Sequence, residues 1–332
     1  MNKKNILLTG AFGYIGSHFI DNYHKLFNIK ALDSKYFDEP KEIVSKTYLS
    51  KIKDIRDIDE DDIKDIDIVI HMSELSNDPM GEIDPKITQD ININGTKKLV
   101  SILNKSKVSK LIYMSSCSVY GVDSTYPYEE NSELNPLTEY AKAKVENENL
   151  LLNLDSNYQI KILRNATAFG FSPNHRIDLV VNDLVYSAIK NNKIELLSDG
   201  SPKRPIVHIT DICKIIYLLI TEEESKKLIF NVGSNEMNYS IKDIALKIAE
   251  MTKIENISFG DLGGDKRSYT VDFSYLKHVF PSFNFSFNLE RGIEDLLFNY
   301  KNFELNKNSK RIQKLNYLIQ ENLIDKDFRY IN

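Results

Sequence analysis

The first half of the chain alternates short apolar runs with longer segments of helical periodicity. This alternation continues to about residue 165. Continuously apolar strands are typical of a parallel sheet buried on both faces, and helices connect such strands. We therefore predict strands at Ile6–Leu8, Ile29–Asp33, Ile66–His71, Lys110–Ser115 and Ile160–Arg164, and helices from Tyr14, from about Ile87 to Lys105 and from about Thr138 to Asn153. This order predicts an α/β fold with helices on both faces of the sheet.

The pattern becomes less regular after Gly170. It predicts a helix over Asp178–Lys190, a strand at Ile194–Leu197, buried strands at Ile206–Ile209 and Leu228–Val232 that return to the main sheet, a helix from about Asp211, a helix from a Ser240 cap to Met251, and an amphipathic segment over Ile312–Ile319. No internal repeat or linker rich in proline and glycine separates the two regions. We expect residues 1–169 to form one region, with 202–235 returning to it, and residues 170–201 and 236–332 to form a second, smaller and interleaved one.

Composition narrows the class of protein. The 332 residues are 42% hydrophobic and 27% charged, with a formal net charge of −5, as in an ordinary globular protein. Without a basic block, nothing favours binding to nucleic acid or to a membrane surface. No apolar segment is long enough for a signal peptide or a membrane span, so we expect a cytoplasmic protein. The two cysteines, Cys117 and Cys213, and the six histidines have no metal-ligand spacing, so we predict no metal.

A glycine-rich turn follows the first predicted strand. Gly10, Gly13 and Gly16 come directly before and within the start of a predicted helix. Glycines at such a turn let the backbone approach a pyrophosphate bound at the helix N-terminus. Asp33 follows the second strand at roughly the 20-residue spacing expected of the acid that binds the adenosine ribose. Because a carboxylate there repels the extra phosphate of NADP, the pattern favours NAD as the cofactor.

Tyr140 and Lys144 are four positions apart and therefore share one face of a predicted helix. A free tyrosine has a pKa near ~10, too high for a base at neutral pH. A nearby ammonium and the positive nicotinamide ring of NAD⁺ favour the phenolate, so we expect a lowered pKa for Tyr140. The pair is then suited to accept the proton of an alcohol.

Several stretches resemble the extended branch of the short-chain dehydrogenase/reductase family, whose members include NAD-dependent nucleotide-sugar epimerases and dehydratases. These are the spaced glycines, Tyr140 with Lys144, and Met114–Gly121, which is similar to the family's Ser-Ser-x-x-Val-Tyr-Gly. The resemblance covers nearly the whole chain. It implies a Rossmann-type doubly wound parallel sheet with a smaller, interleaved α/β substrate-binding region. It also implies NAD as cofactor, a nucleotide-diphosphate sugar as substrate, and a homodimer formed by the Tyr140 helix and the Asp178–Lys190 helix. The apolar positions of these two helices are compatible with such a dimer and equally with packing against the sheet.

The same resemblance implies a role for each site residue. Ser116 hydrogen-bonds the reacting alcohol or ketone and completes a catalytic set with Tyr140 and Lys144. The implied cofactor-binding residues are Gly10, Phe12, Gly13, Tyr14, Ile15, Gly16, Asp33, Asp54, Ile55, Met72, Ser73, Asn92, Tyr140 and Lys144. The expected substrate-binding residues are Ser116, Cys117, Thr167, Asn182, Arg204 and Arg267, the two arginines binding the diphosphate through their planar donor fork. We add Asn77 because it lies in a polar loop that can reach the sugar, with a plain turn as the alternative.

Two positions bear on the reaction. The family's 4,6-dehydratases carry an Asp-Glu pair directly after the residue matched by Ser116, whereas this chain has Cys117 and Ser118. Dehydration therefore lacks its acid and base. A C4 epimerase that acts through a transient 4-keto sugar needs no further group, and we favour it. The alternatives are a net 4-dehydrogenase or 4-ketoreductase, which uses the same residues, and a non-catalytic NAD-binding protein on the same fold.

Glu74 and Cys117 depart from the family pattern. Glu74 follows the predicted strand Ile66–His71, where relatives usually have small apolar residues, and we expect it to face solvent or to pair with a lysine. If it faces the nicotinamide instead, it stabilises the oxidised ring. We expect Cys117 to be a buried thiol, with an acid/base role in C3 or C5 epimerisation as the alternative.

Overall fold

The computed structural model of the chain describes residues 3–37, 40–76, 83–122, 126–222, 228–261, 268–304 and 310–331. A parallel sheet of seven strands lies at the centre of this described part. Its strands, in spatial order, are β10 (Leu228–Val232), β6 (Gln159–Asn165), β5 (Lys110–Ser116), β4 (Ile68–His71), β1 (Asn5–Thr9), β2 (Asn28–Asp33) and β3 (Leu49–Ile52). The strand order reverses between β1 and β4. In an open α/β sheet, ligands bind at such a point, outside the carboxyl ends of the strands.

Helices cover both faces of the sheet, which confirms the predicted doubly wound parallel fold. The helices described are α1 (Tyr14–Tyr23), α2 (Lys41–Val44), α3 (Pro85–Gln89), α4 (Gly95–Leu103), α5 (Glu139–Asn153), α6 (Val180–Asn191), α7 (Ile209–Thr221), α8 (Ile241–Thr252), α9 (Ser274–Val279), α10 (Leu289–Tyr300) and α11 (Arg311–Gln320), and a π-helical segment, Asp90–Asn94, joins α3 to α4. Alternate residues of β1 face opposite sides. Ile6 packs in one core cluster with Phe19 of α1, whereas Leu7 packs in another with Leu99 of α4.

Two small sheets lie beside the main one. The first contains β11 (Asn238–Ser240), β9 (Lys203–His208) and β7 (Thr167–Phe169), and the second contains β12 (Ile257–Phe259) and β8 (Ile194–Leu196). The prediction that Ile206–Ile209 returns to the main sheet is therefore wrong, because β9 pairs with β7 and β11. The prediction for Leu228–Val232 is confirmed, since β10 pairs with β6. An apolar run shows that a strand is buried but does not show which strand pairs with it.

Three further differences have clear physical reasons. β3 was not predicted, because it is an edge strand whose Leu49 and Ile52 are 43% and 60% exposed. The segment from α11 onward does not lie in the substrate-binding region as expected, because Leu315 and Leu318 pack in the same core cluster as Leu7 of β1. The buried face of α6 packs in one cluster with α8 and α10 and not against the main sheet, the alternative to a dimer interface.

No helix in the described ranges is both long enough and apolar enough to cross a lipid bilayer.

Candidate active site

One cavity of about 740 Å³ lies at the carboxyl ends of the central strands. It extends from the glycine turn and Asp33, past Ser116 and Tyr140, to Thr167 and Arg204. The expected cofactor-binding residues that line it are Gly10, Gly13, Tyr14, Ile15, Gly16, Asp33, Asp54, Ile55, Met72, Ser73, Tyr140 and Lys144. The cavity therefore joins the dinucleotide pattern to the candidate catalytic side chains.

At the glycine turn, the main chain of Gly10 and of Gly16 packs closely against other main-chain segments. Gly10 has a φ of +66°, and a Cβ atom there would lie 2.6 Å from the carbonyl oxygen of Met72. A Cβ atom on Gly16 would lie 2.5 Å from the carbonyl oxygen of Ala11. α1 begins directly after Gly13, and no side chain caps its first turn. The amide groups and the positive end of the helix dipole therefore suit an anion such as a dinucleotide pyrophosphate.

Two carboxylates line the cavity next to this turn. Asp33, at the end of β2, accepts hydrogen bonds from the amides of Phe12 (3.0 Å) and Lys35 (2.8 Å), which hold its carboxylate in place. Asp54 forms a 2.6 Å ion pair with Arg56. A carboxylate in the position of Asp33 suits the ribose hydroxyls of NAD and disfavours a 2′-phosphate. The cradle formed by the glycines and Asp33 therefore fits NAD.

Ser116, Tyr140 and Lys144 come together as predicted. The hydroxyl of Tyr140 and the side chain of Ser116 share a hydrogen bond. Lys144 lies one turn further along α5, with its Nζ 5.5 Å from the centre of the Tyr140 ring. Ser116 also accepts a hydrogen bond from the amide of Ser118 (3.2 Å), which orients its hydroxyl at the end of β5.

Glu74 lies inside this site. Its Oε2 is 2.5 Å from Nζ of Lys144, and the exposed fractions of the two side chains are 2% and 5%. Its Oε1 accepts hydrogen bonds from the hydroxyl of Tyr113 (2.8 Å) and from Nδ2 of Asn147 (3.2 Å). Glu74 thus pairs with a lysine, as expected, and that lysine is Lys144.

The expected lowering of the Tyr140 pKa is not found in the protein alone. Burial raises the pKa of Tyr140 above its usual range, and the negative charge of Glu74 raises it further, while the hydrogen bond with Ser116 lowers it. The sequence predicted only that the ammonium of Lys144 lies next to the phenol of Tyr140. In the folded protein that ammonium also pairs with the carboxylate of Glu74.

Four of the expected ligand-binding residues do not line the cavity. The Phe12 side chain belongs to the core, and only its amide reaches Asp33. Asn92 is buried and holds the main chain of Leu75 through both carboxamide atoms (2.8 and 3.2 Å). Asn182 is also buried, and bonds the main chain of Gly170 (3.0 Å) and Arg176 (2.7 Å). The Phe12 side chain therefore lies in the core, and those of Asn92 and Asn182 hold main-chain segments beside the cavity.

Cys117 is the fourth. Its thiol is 1% exposed and donates to the carbonyl oxygen of Arg164 at 3.1 Å. Burial raises the pKa of this thiol well above its usual range. The expectation that Cys117 is a buried thiol therefore holds, and its assignment to the substrate site is wrong.

The remaining substrate-binding residues are placed as follows. Ser116, Thr167 and Arg204 line the cavity, and the Arg204 guanidinium lies 5.5 Å from the centre of the Tyr269 ring. Asn77 and Arg267 lie outside the residues that the structure describes.

Several residues that line the cavity were not among the predicted site residues. Arg176 lines the cavity and forms two hydrogen bonds with the carboxylate of Asp178 (2.9 and 2.7 Å). Arg311 and Tyr269 also line it. Neither Arg176 nor Arg311 belongs to a pattern with a fixed spacing, so the sequence contained no signal for them, whereas Tyr269 follows Arg267 by two residues in a stretch that resembles the family.

Within the described ranges, no group of three or more histidine, cysteine, aspartate or glutamate side chains is arranged to hold a metal ion.

The comparisons with known proteins agree with this geometry. The NAD dependent epimerase/dehydratase family matches residues 6–233, and the chain belongs to that family. It is therefore an enzyme of the NAD-dependent nucleotide-sugar epimerase/dehydratase class, and its cofactor is NAD. This membership confirms the predicted family and cofactor and excludes the non-catalytic alternative.

Named relatives include more than one activity. The chain is similar to a putative UDP-glucose 4-epimerase of Methanocaldococcus jannaschii, with 28% identity over 70% of this chain and 77% of that protein. It is also similar to the dTDP-D-glucose 4,6-dehydratase of Homo sapiens, with 24% identity over 76% of this chain and 75% of that protein. Its fold matches the structure of MoeE5 in complex with UDP-glucuronic acid and NAD, with a TM-score of 0.80, 23% identity, and coverage of 90% of this chain and 100% of that one.

Proposed function

We propose that this protein is a C4 epimerase of a nucleotide-diphosphate sugar, acting through a transient 4-keto sugar. One observation carries the proposal. The cavity that holds the dinucleotide cradle contains the hydrogen-bonded pair Ser116 and Tyr140, while the two positions after Ser116 provide a buried thiol and a hydroxyl. Neither Cys117 nor Ser118 is a carboxylate.

The protein's own groups perform the proton transfers. Ser116 donates a hydrogen bond to the C4 oxygen and positions it next to the Tyr140 hydroxyl. Tyr140, as phenolate, accepts the proton of the C4 hydroxyl. After the keto sugar has turned over in the cavity, so that the opposite face of C4 is presented to the cofactor, Tyr140 returns the proton to the C4 oxygen. Lys144 stabilises the phenolate from the next turn of α5. Bound NAD, held by the glycine turn and Asp33, supplies reversible hydride acceptance.

Dehydration would need catalytic groups in addition to Ser116, Tyr140 and Lys144. Loss of water from a 4-keto sugar requires an acid for the leaving hydroxyl and a base for the C5 proton. Cys117 cannot provide either, because its thiol is 1% exposed, faces the carbonyl of Arg164 and has a raised pKa. Ser118 lines the cavity, but a hydroxyl is too weak an acid and base at neutral pH.

The substrate class follows from the arginine side of the cavity. Arg204 lines the cavity, with the aromatic ring of Tyr269 next to its guanidinium. A planar guanidinium pairs well with phosphate oxygens, and an aromatic ring suits a nucleoside. We propose Arg204, together with Arg267, as the diphosphate ligands. The sugar nucleotides named for MoeE5 and for the epimerase of M. jannaschii are the first candidates to test.

The test is a panel of nucleotide sugars incubated with the purified protein, with products followed by NMR and NADH by near-ultraviolet absorbance. We expect the C4 epimer of one substrate, with no net accumulation of NADH. Lasting NADH with a keto sugar would indicate a net dehydrogenase. Loss of the C6 hydroxyl would indicate a dehydratase. Either result would overturn the proposal.

A variant pair tests the assignment of the base. Tyr140→Phe keeps the ring but removes the hydroxyl, and we expect turnover to fall by roughly a thousandfold or more, the contribution typical of an essential proton-transfer group. Tyr48→Phe is the matched control, because Tyr48 is 79% exposed and does not line the cavity. Full turnover by Tyr140→Phe would remove Tyr140 from the mechanism.

A further inference from the structure

The C-terminal segment, residues 310–331, reaches the cofactor end of the cavity. It lies outside residues 6–233, the range that matches the family, so family membership assigns it no role. We propose that this segment is part of the NAD site: Arg311 binds the adenosine diphosphate half of the cofactor, and the segment slows its release. The proposal depends on NAD binding and is independent of the epimerase assignment.

Arg311 is positioned between the glycine turn and the loop that follows Asp33. Its Nη2 donates to Oδ1 of Asn174 (3.0 Å) and to the Asn174 carbonyl oxygen (3.2 Å). Asn174 in turn donates to the carbonyl oxygen of Phe12 (2.6 Å), inside the glycine turn. On its other side, the guanidinium lies 4.3 Å from the centre of the Phe37 ring. Arg311 and Phe37 both line the cavity.

The rest of the segment is tied to the loops that carry the two cofactor-site acids. Arg56, the partner of Asp54, donates to the carbonyl oxygen of Asp327 (2.9 Å). The Tyr330 hydroxyl donates to the carbonyl oxygen of Lys35 (2.8 Å), two residues after Asp33. Similarly, Tyr36 donates to the carbonyl oxygen of Phe328, and Arg329 pairs with Asp57 (2.5 Å).

The segment is also held by apolar packing. Leu315, Leu318, Ile324 and Phe328 are buried in one core cluster with Leu7 and Leu32 of the main sheet. A buried arginine on a firmly packed element is preorganised, so little side-chain entropy is lost when it pairs with a phosphate. The positive end of α1 and Arg311 then approach the pyrophosphate from two sides. Release of the cofactor must break its contact with Arg311 while the C-terminal segment still covers the loops that carry Asp33 and Asp54.

The binding of ADP and UDP tests this placement. ADP shares the adenosine diphosphate of NAD, and UDP shares the diphosphate of the proposed substrates. For Arg311→Met we expect calorimetric affinities for NAD and ADP to fall roughly tenfold or more, as for loss of a charge-assisted hydrogen bond, with UDP affinity unchanged. We also expect faster release of NADH in a fluorescence chase.

Two further variants complete the experiment. Arg291→Met removes an exposed arginine that does not line the cavity, and it should bind all three ligands as the unmodified protein does. Arg311→Lys keeps the positive charge and should recover part of the ADP affinity. Unchanged ADP and NAD binding by Arg311→Met overturns the proposal. So does an equal loss of UDP binding, because that indicates a general disturbance of the fold, and so does a complete failure of lysine to improve on methionine.

Discussion

The charge of Lys144 is balanced by a carboxylate inside the protein. Glu74 lies 2.5 Å from its Nζ, and both side chains are almost fully buried. Tyr113 supports the pair, donating to Glu74 at 2.8 Å and placing its ring 4.7 Å from the ammonium. Tyr140 therefore experiences the field of an ion pair instead of that of a lone cation, and Glu74 adds to the effect of burial in raising its pKa.

Replacing Glu74 by glutamine should change the pH dependence of turnover. With the carboxylate charge removed, Lys144 is no longer balanced and the pKa of Tyr140 falls. Because phenolate is the active form, we expect the acidic limb of the kcat/KM profile to move to lower pH, by up to about one unit. Glu146→Gln, an exposed position on the same helix, serves as the control. A limb that stays in place, or that moves to higher pH, contradicts this account.

Asp33 should determine the choice of cofactor. Asp33→Asn removes the charge that repels a 2′-phosphate and weakens the bonds to the ribose hydroxyls. We expect calorimetry to show NAD affinity falling by roughly five- to tenfold and the ratio of NADP to NAD affinity rising. Asp61→Asn, an exposed position outside the cavity, should change neither value. A variant that keeps its original preference would show that another group discriminates between the cofactors.

At the scale of elements, helix α5 holds Tyr140 and Lys144 in place against β5 and β6. A buried ion pair joins α5 to β6: Nη2 of Arg164 lies 2.6 Å from Oε2 of Glu148, and both side chains are at most 3% exposed. Ser115 of β5 donates to the same carboxylate at 2.5 Å. Helix α5, which carries Tyr140 and Lys144, is therefore fixed to two strands by one carboxylate.

Removing the Glu148 carboxylate should lower the free energy of unfolding substantially. Glu148→Gln leaves the buried Arg164 charge without the carboxylate that pairs with it directly, for which we expect a loss of about 3–5 kcal/mol in the free energy of unfolding. Urea denaturation measures it. Glu146→Gln breaks the exposed pair with Lys97 on the same helix and should cost less than about 1 kcal/mol. Equal losses for the two variants would show that the buried pair has no special role.

At the scale of the whole molecule, two buried histidines connect distant parts of the chain. His71 lies between Thr9 (2.7 Å) and Thr96 (3.0 Å), and His175 bonds the Tyr300 hydroxyl (2.7 Å). Burial lowers the pKa of each to about 3. Both are therefore neutral in the folded protein near neutral pH.

This neutrality predicts a loss of stability in mild acid. In the unfolded chain each histidine binds a proton below its ordinary pKa of about 6.5, whereas the folded chain does not. The two neutral histidines therefore contribute fully to the free energy of unfolding above pH ~6.5. This contribution is lost as the pH falls, at roughly 3 kcal/mol per pH unit for the two histidines together. Urea titrations between pH 7 and 5 measure the slope. His278→Gln, at an exposed position, should leave it unchanged, and a flat dependence would contradict the burial argument.

At the centre of the site, the local sequence was sufficient to predict which residues line the cavity. The glycine turn, Asp33, Tyr140 and Lys144 all line one cavity, as their spacing predicted, and Ser116 lines it too, as the family resemblance implied. Each lies within a few residues of a strand end or a helix start, and turn chemistry and helical periodicity are decided by neighbouring residues in the chain. The same reasoning misplaced Cys117, because a spacing does not show towards which side a short turn directs each side chain.

The sequence by itself determined the alternation of strands and helices, the family and the cofactor, since each depends on short-range patterns of apolar, glycine and charged positions. Only the tertiary structure decided what lies next to Lys144 and next to the part of the cavity formed by the glycine turn and Asp33. Glu74 meets Lys144 across 70 residues of sequence, and Arg311 meets Asn174 across 137. Such contacts are set by the packing of elements that are far apart in the chain, and no local spacing encodes them.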